Sequence, residues 1–184
     1  MKTFRNLVLI LTFAILSGCA SFSDPETTAT DTRSTKERWS DSNIEFEVAG
    51  LGNKAPFRGQ VRVTASSYNG IVVLMGQSKT DHELNTFLEQ ANSIKGVNKV
   101  HNQVRIREPL SVTSMSSDSW ITTKVKSALL TNSDLKGVNV KVITEDKEVF
   151  LLGYVSEYHA DIATEVARNV SGVKQVIRAF QIGN

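Results

Sequence analysis

Apolar residues follow two rhythms along this chain, and each rhythm occurs twice. Between 61 and 78, "VRVTASSYNGIVVLMGQS" opens with Val61 and Val63 alternating with polar residues, turns at Asn69-Gly70, and continues as a more unbroken apolar run. Alternation marks a strand, Asn-Gly a type I′ hairpin turn, and the apolar run a second strand. The stretch "VNVKVITEDKEVFLLGYV" (138–155) aligns with it without gaps at an offset of 77, turning instead at Glu145-Asp146-Lys147. That alignment sets Gly76 on Gly153 and His82 on His159. The rhythm then lengthens to the helical period, with Leu84, Phe87, Leu88, Ala91 and Ile94 in one copy and Ala163, Val166, Ala167 and Val170 in the other. Thr80 with Glu83 fits a capping box, and Gly96 and Gly172 stand where a left-handed residue ends a helix. "IKGVNKVHNQVRI" (94–106) matches "VSGVKQVIRAFQI" (170–182) at an offset of 76, so one residue is lost in between. These stretches end in a last strand, 100–106 or 176–182.

A helix in front of each copy completes the order α-β-β-α-β. Strand–helix–strand implies a right-handed crossover and a parallel pair, so each sheet is three-stranded and mixed, and the fold class is α+β. Two copies of about 65 residues make two small domains rather than a solenoid. We place them at 40–107 and 117–184, with a linker over 108–116. In the first copy, Ile44, Val48 and Leu51 keep helical spacing across "SDSNIEFEVAGLGNKA" (40–55). Gly50 and Gly52 each cost about 1 kcal/mol relative to Ala, which predicts a short or frayed helix. Trp39 then precedes that helix, with a packing role.

The second leading helix, "SSDSWITTKVKSALLT" (116–131), sets a geometric problem. With Ile121 at the centre of the buried face, Val125, Ala128 and Leu129 fall within about 80° of it, and Asp118 is the expected N-cap. Trp120, Thr123, Ser127 and Leu130 then face outward, flanked by Lys124 and Lys126. Tryptophan beside hydroxyls and lysines is what an interfacial helix presents to lipid headgroups. The same spacing also allows Trp120 to pack against the first domain or the edge of its own sheet.

The N-terminus bears on that choice. "MKTFRNLVLILTFAILSGC" has a basic start and an apolar run too short to span a bilayer, so residues 1–18 read as a signal peptide. It ends in Leu16-Ser17-Gly18-Cys19, which resembles a bacterial lipobox and implies lipidation of Cys19, the one cysteine of the chain. A disulfide would need a second chain, and several acyl chains on one residue anchor stably. Ala20 and Ser21 follow in place of the Asp that retains such lipoproteins at the inner membrane, which implies an outer-membrane destination facing the periplasm. Residues 19–39 read as a lipidated start and a Ser/Thr/Asp-rich tether reaching about 25 Å as a coil. Without Lys2 and Arg5 the 21 basic residues become 19, against 19 acidic ones. A nucleic-acid partner would call for a basic excess.

The element order, the paired Gly76 and Gly153, the Gly96-Val97 and Gly172-Val173 pairs, and "DSWITTKVKSALLT" together resemble the BON domain, twice over. The resemblance spans nearly all of the mature chain and is similar to that of dual-BON outer-membrane lipoproteins of Gram-negative bacteria. It implies no enzymatic activity, no cofactor and no small-molecule substrate. It implies instead binding to an anionic phospholipid membrane through the first helix of the second domain, support of outer-membrane integrity, and enrichment at division sites. By that resemblance the lipid-binding residues are Trp120, Thr123, Lys124, Lys126, Ser127 and Leu130. The competing role is an adaptor docking on outer-membrane assembly machinery, with lipid contact incidental. His82 and His159 suit shared ancestry or an exposed helix start better than metal or catalysis, since neither belongs to a ligand pattern such as HExxH. Gly76 and Gly153 are expected to permit close backbone packing or a bulge.

Overall fold

The computed structural model describes residues 33–183. The signal, Cys19 and most of the tether lie outside the described residues. The elements are α1 (Thr35–Gly52), β1 (Val61–Tyr68), β2 (Ile71–Ser78), α2 (Asp81–Asn92), β3 (Lys99–Ile106), α3 (Val112–Thr131), β4 (Lys141–Glu145), β5 (Glu148–Val155), α4 (Glu157–Arg168) and β6 (Gln175–Ile182), with a single 3-10 turn at Ser133–Leu135. Two three-stranded sheets result, ordered β1-β2-β3 and β4-β5-β6. In each, the hairpin pair is antiparallel and the pair joined through the helix is parallel. This is the α+β arrangement expected from the sequence.

Each sheet buries one face under its own two helices. In the first domain Ile44, Val48, Leu84, Phe87 and Ala91 meet Val72 and Leu74, and Phe57 sets its ring edge-on to Phe87 at 5.1 Å. In the second, Ile121, Val125, Leu129, Ala163 and Ala167 meet Val149 and Leu151. Strand side chains alternate between faces, so Val73 and Met75 of β2, and Phe150 and Leu152 of β5, point the other way. There they meet one another and form a third core between the domains, with Ile143, Ile177 and Ala179 packed against it. The central strands are apolar on both faces because both faces are covered.

Ions and amides surround this shared core. Glu145 accepts from Arg62 and, at 2.9 Å, from Gln77 Nε2. Arg107 donates to Asp146 at 2.6 Å and Arg105 to Glu148 at 3.4 Å. Elsewhere Lys141 reaches Glu45 at 2.8 Å, Gln181 Nε2 donates to the Tyr68 carbonyl, and the Tyr68 and Tyr154 rings stack nearly parallel.

Several expectations are corrected. Helix α1 is neither short nor frayed, because it begins five residues earlier than Ser40, at Thr35. Ser34 and Glu37 close a full capping box there, which offsets the cost of Gly50 and Gly52. The expected tether therefore gives way to helix at Thr35, and Trp39 lies within α1, 67 % exposed rather than packed. Helix α3 begins at Val112, inside the expected linker, capped by Ser111 and not by Asp118. Finally, the N-caps are Thr80 and Ser156, 76 residues apart. The lost residue thus precedes the helix, so the helical counterpart of His82 is Tyr158, and His159 occupies the place of Glu83.

Candidate functional site

Beyond its buried stripe, α3 is tied to its domain by a carboxylate that sequence spacing assigned to another task. Asp118 is buried and accepts the backbone N–H groups of Asp146 at 2.8 Å and Lys147 at 2.9 Å. Those two residues form the β4–β5 turn with φ of 52° and 62°, and a primed turn leaves its amides pointing away from the ladder. Asp41 of α1 does the same for Asn69 and Gly70, at 2.8 and 2.9 Å, and also accepts from Ser67 and Arg33. Burial pushes the Asp41 carboxyl up, but the hydrogen bonds from Ser67, Gly70, Arg33 and Asn69 outweigh it and hold it below the ordinary range. The offset of 77 that relates the strands also sets Asp41 on Asp118 and Ile44 on Ile121. That signal was present in the sequence and was missed.

With α3 fixed, its outward face is fixed too. Ile121, Val125 and Leu129 are buried, while Trp120 is 65 % and Leu130 85 % exposed. Thr123, Lys126 and Ser127 are exposed between them. The Thr123 hydroxyl donates to the Ser119 carbonyl within the helix. Lys124 behaves differently from Lys126, since its ammonium donates to the Ser171 carbonyl near the end of α4. At the C-terminal end of α3 a groove of about 510 Å³ is lined by Leu129, Leu130, Leu135 and Val138, together with Lys126 and Lys136. Lys136, which pattern reading did not single out, thus joins Lys126 beside the exposed leucine. From Ser119 to Ser133 the chain carries no acidic residue.

The equivalent face of α1 has other chemistry. At the same offset Asn43 stands for Trp120, Phe46 for Thr123, Glu47 for Lys124 and Ala49 for Lys126. Its exposed apolar residues are Trp39 and, at 79 %, Phe46, seven residues apart and therefore on one side of the helix.

Gly76 and Gly153 have φ of 141° and 147°. A Cβ at Gly76 would stand 2.1 Å from the Arg62 carbonyl oxygen, and one at Gly153 2.6 Å from that of Asn139. The histidines do not converge with other ligands. His159 Nδ1 lies 2.8 Å from Ser156 Oγ, a local cap, and among the described residues no three His, Cys, Asp or Glu side chains could hold a metal ion. Among the described residues, too, no helix is long and apolar enough to cross a membrane.

The BON domain family matches residues 40–108 and 117–184. The chain is 40 % identical over 154 residues to the outer membrane lipoprotein DolP of Haemophilus influenzae, covering 83 % of this chain and 80 % of that one. It is 42 % identical over 151 residues to the 21 kDa hemolysin of Actinobacillus pleuropneumoniae, covering 82 % and 78 %. Among solved structures, CdsD of the Chlamydia trachomatis type III secretion system matches at 20 % identity, with a TM-score of 0.30, over 78 % of this chain and 65 % of that one.

Proposed function

Because this chain belongs to the BON-domain family and is an outer-membrane lipoprotein, we propose that it binds anionic phospholipid through the outward face of α3. The observation that supports this reading is an exposed Trp120 and Leu130 on one helix face, with Lys126 and Lys136 near them and no acidic residue from Ser119 to Ser133. An indole settles at headgroup depth, leucine inserts below it, and each lysine near the surface adds about 1 kcal/mol against anionic lipid. Cys19 supplies the lipid anchor, so the α3 contact orients a body already held at the periplasmic surface of the outer membrane. Lys124, tied to Ser171, positions the helix more than it meets lipid. The protein acts without catalysis or cofactor, supporting outer-membrane integrity, with division sites as its place of enrichment.

Trp120 fluorescence tests this, once Trp39 is replaced by Phe so that a single indole reports. Anionic vesicles should shift its emission to the blue, zwitterionic vesicles should not, and Trp120→Ala should lose binding while keeping the wild-type melting temperature. An emission indifferent to anionic vesicles would overturn the reading.

The second reading, an adaptor for outer-membrane assembly machinery, draws on Trp39 and Phe46. They form an exposed aromatic pair on one side of α1, with Glu47 beside Phe46, and such a pair suits a protein partner. Under that reading Trp39→Ala with Phe46→Ala breaks in-cell crosslinks to a protein partner, and Trp120→Ala leaves them intact.

A further inference from the structure

The two domains do not close completely on each other. Beside the shared core lies a cleft of about 750 Å³, a volume within the range of small-molecule sites. Its apolar lining continues the interdomain core through Val73, Leu152, Ile177 and Ala179. The stacked Tyr68 and Tyr154 rings and Phe180 add aromatic surface. Charge is distributed unevenly around this lining. The two carboxylates that face the cleft are already neutralised, Asp41 by Arg33 and Glu45 by Lys141. Arg178 is held by Glu157 and Asp161. Arg38 of α1 and Lys126 of α3 also line the cleft and have no carboxylate partner among the described residues. The cleft therefore sets an apolar strip among polar walls that include Ser66, Gln103 and Asn139, with two uncompensated cations, one contributed by each domain.

We infer that this cleft binds one molecule of a single-chain anionic phospholipid, with its acyl chain on the apolar lining and its phosphate held by Arg38 and Lys126. A bilayer cannot enter a recess of this size, whereas one lysophospholipid can. The site shares Lys126 with the outward face of α3 but includes neither Trp120 nor Leu130, and its apolar lining and Arg38 lie away from that face. Both domains contribute to it, so occupancy would also hold them together.

The test uses the full-length acylated protein in phosphatidylcholine nanodiscs, with lysophosphatidylglycerol carrying a photoactivatable diazirine in its chain. After irradiation, labelled peptides are mapped by mass spectrometry. The expected result is labelling of β1 and β6 around Tyr68 and Ile177. Arg38→Glu, on an exposed helix position, should lower it about tenfold, as loss of one charge-assisted contact implies. A diazirine monoacylglycerol, which lacks the phosphate, should label weakly, and a diazirine palmitate should fall between the two. Labelling confined to α3, equal labelling by the uncharged lipid, or indifference to Arg38→Glu would each overturn the proposal.

Discussion

Asp41 and Asp118 spend their charge on backbone amides rather than on a ligand. Each accepts two turn N–H groups that nothing else in the hairpin can reach. Asp118→Ala should therefore cost about 1–3 kcal/mol, the range for leaving buried donors unsatisfied, and urea unfolding would measure it. Asp41 adds a pH dependence whose sign follows from its lowered pKa. Stability from a depressed carboxyl is complete above its ordinary value of 3.8 and is lost as pH falls through the folded value. Asp146, which Arg107 holds down in the same way, acts in the same direction. The urea midpoint of the wild type should fall below about pH 4, and that of Asp41→Asn should start lower and fall less. Glycine is tested differently. Gly76→Ala forces a side chain into a left-handed φ and against a carbonyl at 2.1 Å, so it should cost about 1–3 kcal/mol or more. Gly153→Ala, with more room at 2.6 Å, should cost less; equal melting temperatures for the two variants would remove the steric account.

Helices were the elements whose character was legible and whose limits were not. The Ile121, Val125, Leu129 stripe placed Trp120 outside the core, and the ring is indeed exposed, because a period of 3.6 fixes relative direction regardless of where the helix starts. The start itself depends on which serine caps. Ser34 and Ser111 lie in Ser/Thr-rich stretches whose lack of apolar periodicity disguised them as tether and linker. The two glycines of α1 misled because a per-residue cost was weighed without the cap that offsets it. That cost remains measurable. Gly50 has helical backbone and no atom within 4 Å of a Cβ, so Gly50→Ala should stabilise the first domain by about 0.5–1 kcal/mol, read as a rise in melting temperature. The Trp39 and Phe46 pair went unseen for the same reason, since it becomes a pair only once α1 extends back to Thr35.

At the scale of the whole molecule, two small domains share a core that neither has alone. The unbroken apolar run of β2 was legible, but its cause was not, because one sheet's second face gives no local sign of what will cover it. Phe150 is fully buried at that junction. Phe150→Ala should cost about 3–5 kcal/mol and, by loosening the junction before either domain core, should split one calorimetric transition into two. The peptide between β3 and α3 runs only from Arg107 to Ser111. Five residues confine each domain to a small volume around its neighbour, so that each experiences the other at a local concentration on the order of millimolar. A contact of modest area then stays closed in a single chain, although the same two halves, cut apart and mixed at micromolar concentration, would drift free. The short peptide thus acts as a third partner in the interface, and its lengthening would weaken the junction without altering a single residue that touches it.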